Sequence, residues 1–420
     1  MELRFTPCWA SSVAKLGLLL AVAACCVVAS GDVASASGRS EPQIVGGGRG
    51  KVQKLSPVSS VSAGSGHTCA VLISGVAKCW GDGQAGQLGS GSRASQTKPG
   101  QQIVFGIGQK VSSISSGTSH TCAVMRSGEA TCWGDSALGT GTVSVALSPP
   151  AAPINFGRGV KADTIEASHS FSCAMLSDDT ARCFGAGQSG QLGDGRAAST
   201  TTPAAAINFG PGLKPRSIST GDAHACALLS DGTVQCWGSN QFGQIGDGTN
   251  VNRPTPRQVD FGSGVTATSI SVGSFHSCAY LSTQEISCWG LSAYGQLGDG
   301  TFSLSGHSTP TRVQLDPSRK VRGVEAGGLF TCALVKLGST CWGSNLYGEL
   351  GIDLGATMIS KPTNQVIRFG RDIAQLSLGA GHQCAVLSNA TVRCLGRNFR
   401  GALGDGTLRD RWQPGGPVVL

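Results

Sequence analysis

The reactive side chains of this sequence are regularly spaced cysteines and histidines. Fourteen of the 17 cysteines form seven pairs whose members are nine or ten positions apart. In five pairs a histidine stands two positions before the first cysteine, as in His67, Cys69 and Cys79. Sulfur and imidazole nitrogen are common zinc ligands, so one interpretation is a zinc site at each cysteine pair. The other is a set of seven disulfides, Cys69–Cys79, Cys122–Cys132, Cys173–Cys183, Cys226–Cys236, Cys278–Cys288, Cys332–Cys341 and Cys384–Cys394.

Substitutions at the histidine position argue against zinc. Phe171 and Phe330 take this position before the third and sixth cysteine pairs, and a phenyl ring packs but cannot ligate a metal. We therefore predict no metal site and expect the histidines to be structural, hydrogen-bonded between strands or blades. These residues are His67, His120, His224, His276 and His382. The residue after the second cysteine is a tryptophan in five pairs and Phe184 or Leu395 in the other two. This tolerance indicates a packing role.

Glycine-rich segments after the cysteine pairs resemble a dinucleotide-binding motif. Residues 81–86 and 185–190 fit the pattern G-x-G-x-x-G. That motif binds a pyrophosphate only between a strand and the N-terminus of a helix, and no such unit surrounds either match. The sequence also lacks a P-loop and a G-x-S-x-G elbow. It therefore predicts no cofactor and no enzymatic activity.

The cysteine pairs mark seven copies of one module with a period near 52 residues. In the fourth copy, two apolar runs flank Ser230-Asp231-Gly232, a sequence typical of a three-residue hairpin loop. This hairpin places Cys226 directly opposite Cys236, within reach of a disulfide. The sixth copy is one residue shorter, so its pairing requires an even loop at Lys336-Leu337.

Two further strand-like segments precede each cysteine hairpin, such as residues 256–261 and 267–272 before the fifth. Seven four-stranded modules predict an all-β fold, a seven-bladed β-propeller of antiparallel blades, because radial repetition protects sheet edges. The last residues, 417–420, resemble the first strand of an eighth module. We expect this C-terminal strand to close the ring against the sheet of the first module.

Composition excludes several classes of protein. Glycine contributes 63 of 420 residues and charged residues only 13%, which is incompatible with a coiled coil. Hydrophobic residues make up 40%, too many for a disordered chain. The net charge of +8 is spread without a run of like charges, so we predict no nucleic-acid binding.

The N-terminus predicts export. Arg4 and Lys15 precede an apolar run over residues 16–28, which is shorter than the ~20 residues of a membrane span. We expect residues 1–30 to be a signal peptide, residues 31–41 a flexible segment and residues 42–420 the propeller, so the mature protein is secreted or held in the cell envelope. An alternative interpretation is a lipoprotein signal, in which Cys25 carries a lipid anchor.

The repeat resembles that of the regulator of chromosome condensation family. The fourth copy carries it clearly, from Gly221-Asp-Ala-His-Ala-Cys226 through Val234-Gln-Cys-Trp-Gly238 to Gln244-Ile-Gly-Asp-Gly248. The resemblance implies a seven-bladed propeller over residues 42–420. Members of that family include an exchange factor for the GTPase Ran, a plant ultraviolet receptor and a secreted inhibitor of β-lactamase. The paired cysteines and the export signal are similar to the exported branch.

Differences between copies predict where a partner binds. At one loop position the fourth to sixth copies carry Phe242, Tyr294 and Tyr347, and the seventh carries Arg400. Consecutive copies are neighbours in a ring, so these residues form a candidate binding patch; the alternative is that they fill gaps between blades. We predict a monomeric, non-catalytic scaffold that binds an unidentified protein through one propeller face. The alternatives are a guanine-nucleotide exchange factor and a carbohydrate- or surface-binding module.

Overall fold

The computed structural model describes residues 56–141, 143–145 and 152–420. Apart from one 3₁₀ turn (Phe399–Gly401), every element among these residues is a β-strand, and no described helix could cross a membrane. The strands form seven antiparallel sheets of three or four strands, which confirms the predicted propeller. The predicted signal peptide, the alternative lipid site at Cys25 and the segment 31–41 lie outside the described residues.

Each sheet is one blade, numbered here in chain order. Blade 1 contains β1 (Val58–Ala63), β2 (His67–Leu72) and β3 (Ala77–Gly81), and blade 2 contains β4 (Val111–Ser116), β5 (His120–Met125), β6 (Ala130–Ala137) and β7 (Val143–Val145). Blade 3 contains β8 (Ala162–Ala167), β9 (Phe171–Leu176) and β10 (Ala181–Gly185). Blade 4 contains β11 (Pro215–Thr220), β12 (His224–Leu229), β13 (Val234–Gly238) and β14 (Arg253–Gln258).

The remaining three blades repeat this order. Blade 5 contains β15 (Ala267–Val272), β16 (His276–Leu281), β17 (Ile286–Ser292) and β18 (Ser303–Arg312). Blade 6 contains β19 (Gly323–Ala326), β20 (Phe330–Val335), β21 (Gly338–Ser344) and β22 (Met358–Ile359). Blade 7 contains β23 (Ile373–Leu378), β24 (His382–Leu387) and β25 (Val392–Gly396).

The second and third strands of every blade form the cysteine hairpin. Cys226 lies directly opposite Cys236, their Cα atoms are 4.0 Å apart, and the two sulfurs are bonded. The other six pairs are bonded in the same way. In blade 6 the pairing of Val335 with Gly338 leaves the two-residue loop that the shorter sixth copy requires. Each blade is therefore joined internally by one covalent bond between its middle strands.

The fourth strand belongs to the hairpin before it, which corrects the predicted module. Strand β14 pairs with β13 of blade 4, not with the hairpin of the fifth copy. The C-terminal segment also pairs with the hairpin before it, because the N–H of Val418 donates to the carbonyl of Val392 in blade 7 at 2.9 Å. Its backbone therefore follows the hairpin of its own blade, and the predicted closure of the ring against blade 1 is made by side chains. Its Val418 side chain still packs in a cluster with Val58 and Val61 of blade 1, at the closure of the ring.

Neighbouring blades are joined by a buried node of hydrogen bonds. The indole Nε1 of Trp342 and the hydroxyl of Thr331, both in blade 6, donate to the carbonyl of Gln296 in blade 5 at 2.9 and 2.8 Å. Since this hydroxyl uses its proton on the carbonyl, it accepts a hydrogen bond from Nε2 of His276 at 2.8 Å, which fixes the proton of that imidazole on Nε2. Burial lowers the pKa of His276 to about 3, so the ring is neutral. Blade 5 therefore contributes a neutral imidazole and a carbonyl to this node, and blade 6 contributes a hydroxyl and an indole.

The node recurs with the predicted structural histidines and changes where the histidine is absent. His67, His120, His224 and His382 make the same contact with a hydroxyl of the following blade. Blade 6 has Phe330 instead, and there Gln383 of blade 7 reaches the carbonyl of Glu349 directly at 2.7 Å. Blade 3 has Phe171, and the residue of blade 4 at the hydroxyl position is Ala225. Where phenylalanine replaces the histidine, the next blade therefore also lacks the hydroxyl that the histidine would contact.

We expect the Cys226–Cys236 disulfide to stabilise blade 4. Replacing both cysteines by alanine removes a cross-link that closes a short loop, so the free energy of unfolding should fall by about 3 kcal/mol. Urea denaturation of the oxidised protein measures this loss, with Ser230→Ala in the same hairpin loop as the control variant. An unchanged denaturation midpoint in the double alanine variant would contradict the disulfide.

We also expect acid to weaken the blade nodes. The unfolded His276 has a pKa near 6.5 and the folded one a pKa of about 3, so the unfolded chain binds more protons between these values and stability falls as the pH falls through this window. His276→Phe, the residue that blades 3 and 6 carry, should lose about 2 kcal/mol less than the original protein between pH 7 and pH 5. Denaturation at a series of pH values tests this, and Ile286→Val, which changes no titrating group, should shift the curve in parallel. Parallel curves for His276→Phe would refute the neutral buried histidine.

Candidate functional site

One face of the ring carries both sets of loops that surround the central opening. We call it the loop face: in blade 4 it consists of residues 221–223, between the first two strands, and residues 239–252, between the third and fourth. The first strand of each blade is innermost, and its end lines the central cavity. The opposite face carries the tips of the cysteine hairpins. A partner approaching the loop face therefore meets the segments in which the copies differ most.

The central cavity is polar and serves to join the blades. It encloses about 420 Å³ and is lined by the inner strand ends of all seven blades. Serine hydroxyls bridge successive inner strands, as where Oγ of Ser219 accepts the N–H of Val272 at 3.0 Å. The ring closes where the N–H of Ala380 donates to the carbonyl of Gly64 at 3.2 Å. These contacts occupy the groups that line the opening.

Two glutamates replace serines in this ring. Glu166 and Glu325 accept hydrogen bonds from the hydroxyls of Ser115 and Ser271 at 3.1 and 3.3 Å. Burial raises the pKa of each carboxyl to about 7, and the hydrogen bond from serine opposes the shift. Among residues 56–420 that the structure describes, no group of three or more His, Cys, Asp and Glu is placed to hold a metal ion. The two carboxyls therefore contribute to the contacts between blades.

The three predicted aromatics lie on the loop face, half-buried at the junctions between blades. The ring of Phe242 packs edge-on against Phe275 of the next blade, with centroids 5.8 Å apart. The guanidinium of Arg397 lies over the ring of Tyr347 at 4.5 Å. Tyr294 is also half-buried. Gap filling is therefore one role of these residues, and within the described chain no ring contact joins the three to one another.

Blade 7 adds two residues that the sequence did not single out. Arg397 lies between the rings of Tyr347 and Phe399, 4.5 and 4.9 Å from their centroids. The guanidinium of Arg400 also contacts Phe399, 4.9 Å from the centroid of its ring. Nε of Arg400 lies 3.5 Å from a carboxylate oxygen of Asp82 in blade 1. We call Tyr347, Arg397, Phe399 and Arg400 the arginine stack. The available signal was the departure of Arg397 and Phe399 from Ser239 and Gln241, their counterparts in the fourth copy.

Exposed apolar side chains are concentrated on the same side of the loop face. We call residues 239–252, 293–305, 345–358 and 397–410, which follow the third strands of blades 4–7, the apolar sector. Of the 13 exposed large hydrophobic residues in the described part of the chain, eight belong to it: Val251, Phe302, Leu304, Leu346, Leu354, Met358, Phe399 and Leu408. The corresponding segments of blades 1 and 3, residues 82–95 and 186–199, contribute none. Clustered exposed apolar side chains mark interaction surfaces.

Comparison with known proteins places this geometry among related chains. The ultraviolet-B receptor UVR8 of Arabidopsis thaliana is 29% identical over 358 residues, covering 84% of this chain and 79% of the receptor. The human E3 ubiquitin-protein ligase HERC2 is 27% identical over 278 residues, which are 65% of this chain and only 6% of the ligase.

Solved structures have the same fold. Human WBSCR16 superposes with a TM-score of 0.70 at 21% identity, over 81% of this chain and 93% of that one. Yeast RCC1 (Prp20), solved with Kap60 bound, superposes with a TM-score of 0.70 at 20% identity, over 92% and 91%. The RCC1-like domain matches residues 28–333. With its seven registered copies and seven sheets, this chain belongs to the RCC1-like domain family.

Proposed function

We propose that this protein is an exported, non-catalytic propeller that binds a partner protein through the loop face of blades 4–7. The observation that carries the proposal is the apolar sector, because blades 1 and 3 lack exposed apolar residues at the corresponding positions. Structural residues repeat in every blade, whereas a binding surface for one partner has no reason to repeat. Phe242, Tyr294, Tyr347 and Arg400 belong to the same four segments, and we infer that they contribute to the same surface.

Export is supported by the cysteines. Seven disulfides persist only in an oxidising compartment, outside the reducing cytosol. The proposed order along the chain is a signal peptide over residues 1–30, a connecting segment over residues 31–41 and the propeller over residues 42–420. We infer that the protein acts as a monomer, either free outside the cell or in the cell envelope.

The two other functions have weaker support. An exchange factor for a small GTPase acts inside the cell, where the disulfides would be reduced. A carbohydrate-binding module presents aromatic faces to the sugar, whereas Phe242 packs against Phe275, and Tyr347 is covered by Arg397. A protein partner fits the observed mixture of aliphatic, aromatic and arginine side chains better.

We expect the triple variant Phe242→Ala, Tyr294→Ala, Tyr347→Ala to reduce capture of the partner at least about tenfold. The assay is chemical cross-linking and affinity capture from the protein's native extracellular fraction. These residues are half-buried, so a second variant, Phe302→Ala with Leu304→Ala and Leu408→Ala, removes side chains that are 55%, 82% and 66% exposed and should reduce capture without lowering the melting temperature.

The matched control lies on the opposite face. Ile73→Ala with Val104→Ala and Ile107→Ala also removes exposed apolar side chains, and it should leave capture unchanged. Equal capture by the original protein and by both apolar-sector variants would refute the proposed function.

A further inference from the structure

Positive charge is concentrated in the last two blades. Residues 313–420 carry 12 lysines and arginines against seven aspartates and glutamates, whereas residues 56–312 carry 14 of each. Most of the charge imbalance of the propeller therefore lies on one side of the ring. Such an asymmetric field attracts an anionic partner to that side.

The arginine stack brings this charge onto the loop face. Arg397 is held between two aromatic rings, and none of the ion pairs among the described residues includes it. Arg400 has Asp82 at 3.5 Å, a longer distance than a good charge-assisted hydrogen bond. Stacking orients a guanidinium without using its N–H groups, so Arg397 is prepared to bind a carboxylate, and Arg400, whose Nε is buried while its side chain is 30% exposed, would bind one through its terminal amino groups.

A local change in sequence accounts for the position of Arg400. In blade 4 the Gln244 side chain accepts the backbone N–H of Phe242 at 2.9 Å, which fixes the loop. The residue of blade 7 that corresponds to Gln244 is Ala402, which has no acceptor in its side chain. Arg400 there adopts φ 54°, a left-handed conformation that is uncommon outside glycine. The four other described non-glycine residues with positive φ lie at the tips of cysteine hairpins, so the conformation of Arg400 is specific to the loop face of blade 7.

Apolar side chains flank the stack. Leu346 precedes Tyr347 in the chain and is 43% exposed, Phe399 is 44% exposed, and Leu408 of the same blade is 66% exposed. A ligand with charge alone would leave these side chains in water. A polypeptide that alternates carboxylates with apolar side chains would cover both kinds of group.

We propose that the arginine stack binds an acidic segment of the partner protein, with carboxylates on Arg397 and Arg400 and apolar side chains on Leu346, Phe399 and Leu408. This inference deepens the proposed function and rests on it. Anionic lipid and nucleic acid share the negative charge, but neither supplies alternating carboxylate and apolar groups.

A display library of random dodecapeptides tests the proposal without assuming a sequence. Peptides selected on the disulfide-intact protein should be rich in aspartate and glutamate next to leucine, isoleucine or phenylalanine, and their affinity should fall with rising salt. The variant Arg397→Gln with Arg400→Gln should bind them at least about tenfold more weakly. Arg196→Gln, in the corresponding segment of blade 3, should bind them as the original protein does.

Several outcomes would overturn the acidic-segment proposal. They are selection of peptides without acidic residues, equal binding by the Arg397→Gln, Arg400→Gln variant, failure to select any peptide, and tighter arginine-dependent binding of oligothymidylate or phosphatidylserine vesicles than of the peptides. Partner capture separates this failure from that of the proposed function. Capture that survives in the arginine variant but is lost in the Phe242, Tyr294, Tyr347 alanine variant leaves the loop face as a binding site and removes only the acidic segment.

Discussion

A single backbone carbonyl at six of the blade junctions determines how the ring is built. The carbonyl of Gln296 accepts both the indole of Trp342 and the hydroxyl of Thr331, and this hydroxyl orients His276 in the blade before it. All of these groups are buried, so each is costly to leave without a partner. Because the carbonyl belongs to the loop after a third strand, the same loop both fixes the next blade and forms the loop face. The same segment therefore contributes both to the packing of neighbouring blades and to the surface that a partner would contact.

This arrangement explains which residues of that loop are free to vary. Gln244 uses its carbonyl to hold the next blade and its side chain to hold the N–H of Phe242, so the identity of the Phe242 side chain affects neither hydrogen bond. Blades 1 and 3 have Ala85 and Ser189 at that position with the same backbone contact. The position can acquire aromatic or charged side chains while the ring remains intact. In blade 7 the side chain of Ala402 cannot accept the N–H of Arg400, whereas the carbonyl of Ala402 still accepts the indole N–H of Trp80.

Local rules made much of the fold predictable from the sequence. The symmetric spacing about Ser230-Asp231-Gly232 determined the register of Cys226 and Cys236, because hairpin register depends only on loop length. The strand that completes each blade was assigned to the wrong hairpin, because a period of 52 residues is the same wherever the module is cut. Only the long-range pairing of β13 with β14 distinguishes the two assignments. The serine and glutamate ring was also beyond the sequence, since it requires inner strands of seven blades to meet at one axis.

The candidate site shows the same limit more sharply. Repetition reveals where a copy departs from the others, which identified Phe242, Tyr294, Tyr347 and Arg400, but it cannot show which departures touch. Arg397 contacts Tyr347 across the junction between blades 6 and 7, a contact between residues 50 positions apart in the chain. Half-buried Tyr347 then has two roles that do not compete: it fills the junction, and its ring holds the partly exposed guanidinium of Arg397. Because Arg397 is already held between two rings, binding through its guanidinium would cost little further side-chain entropy.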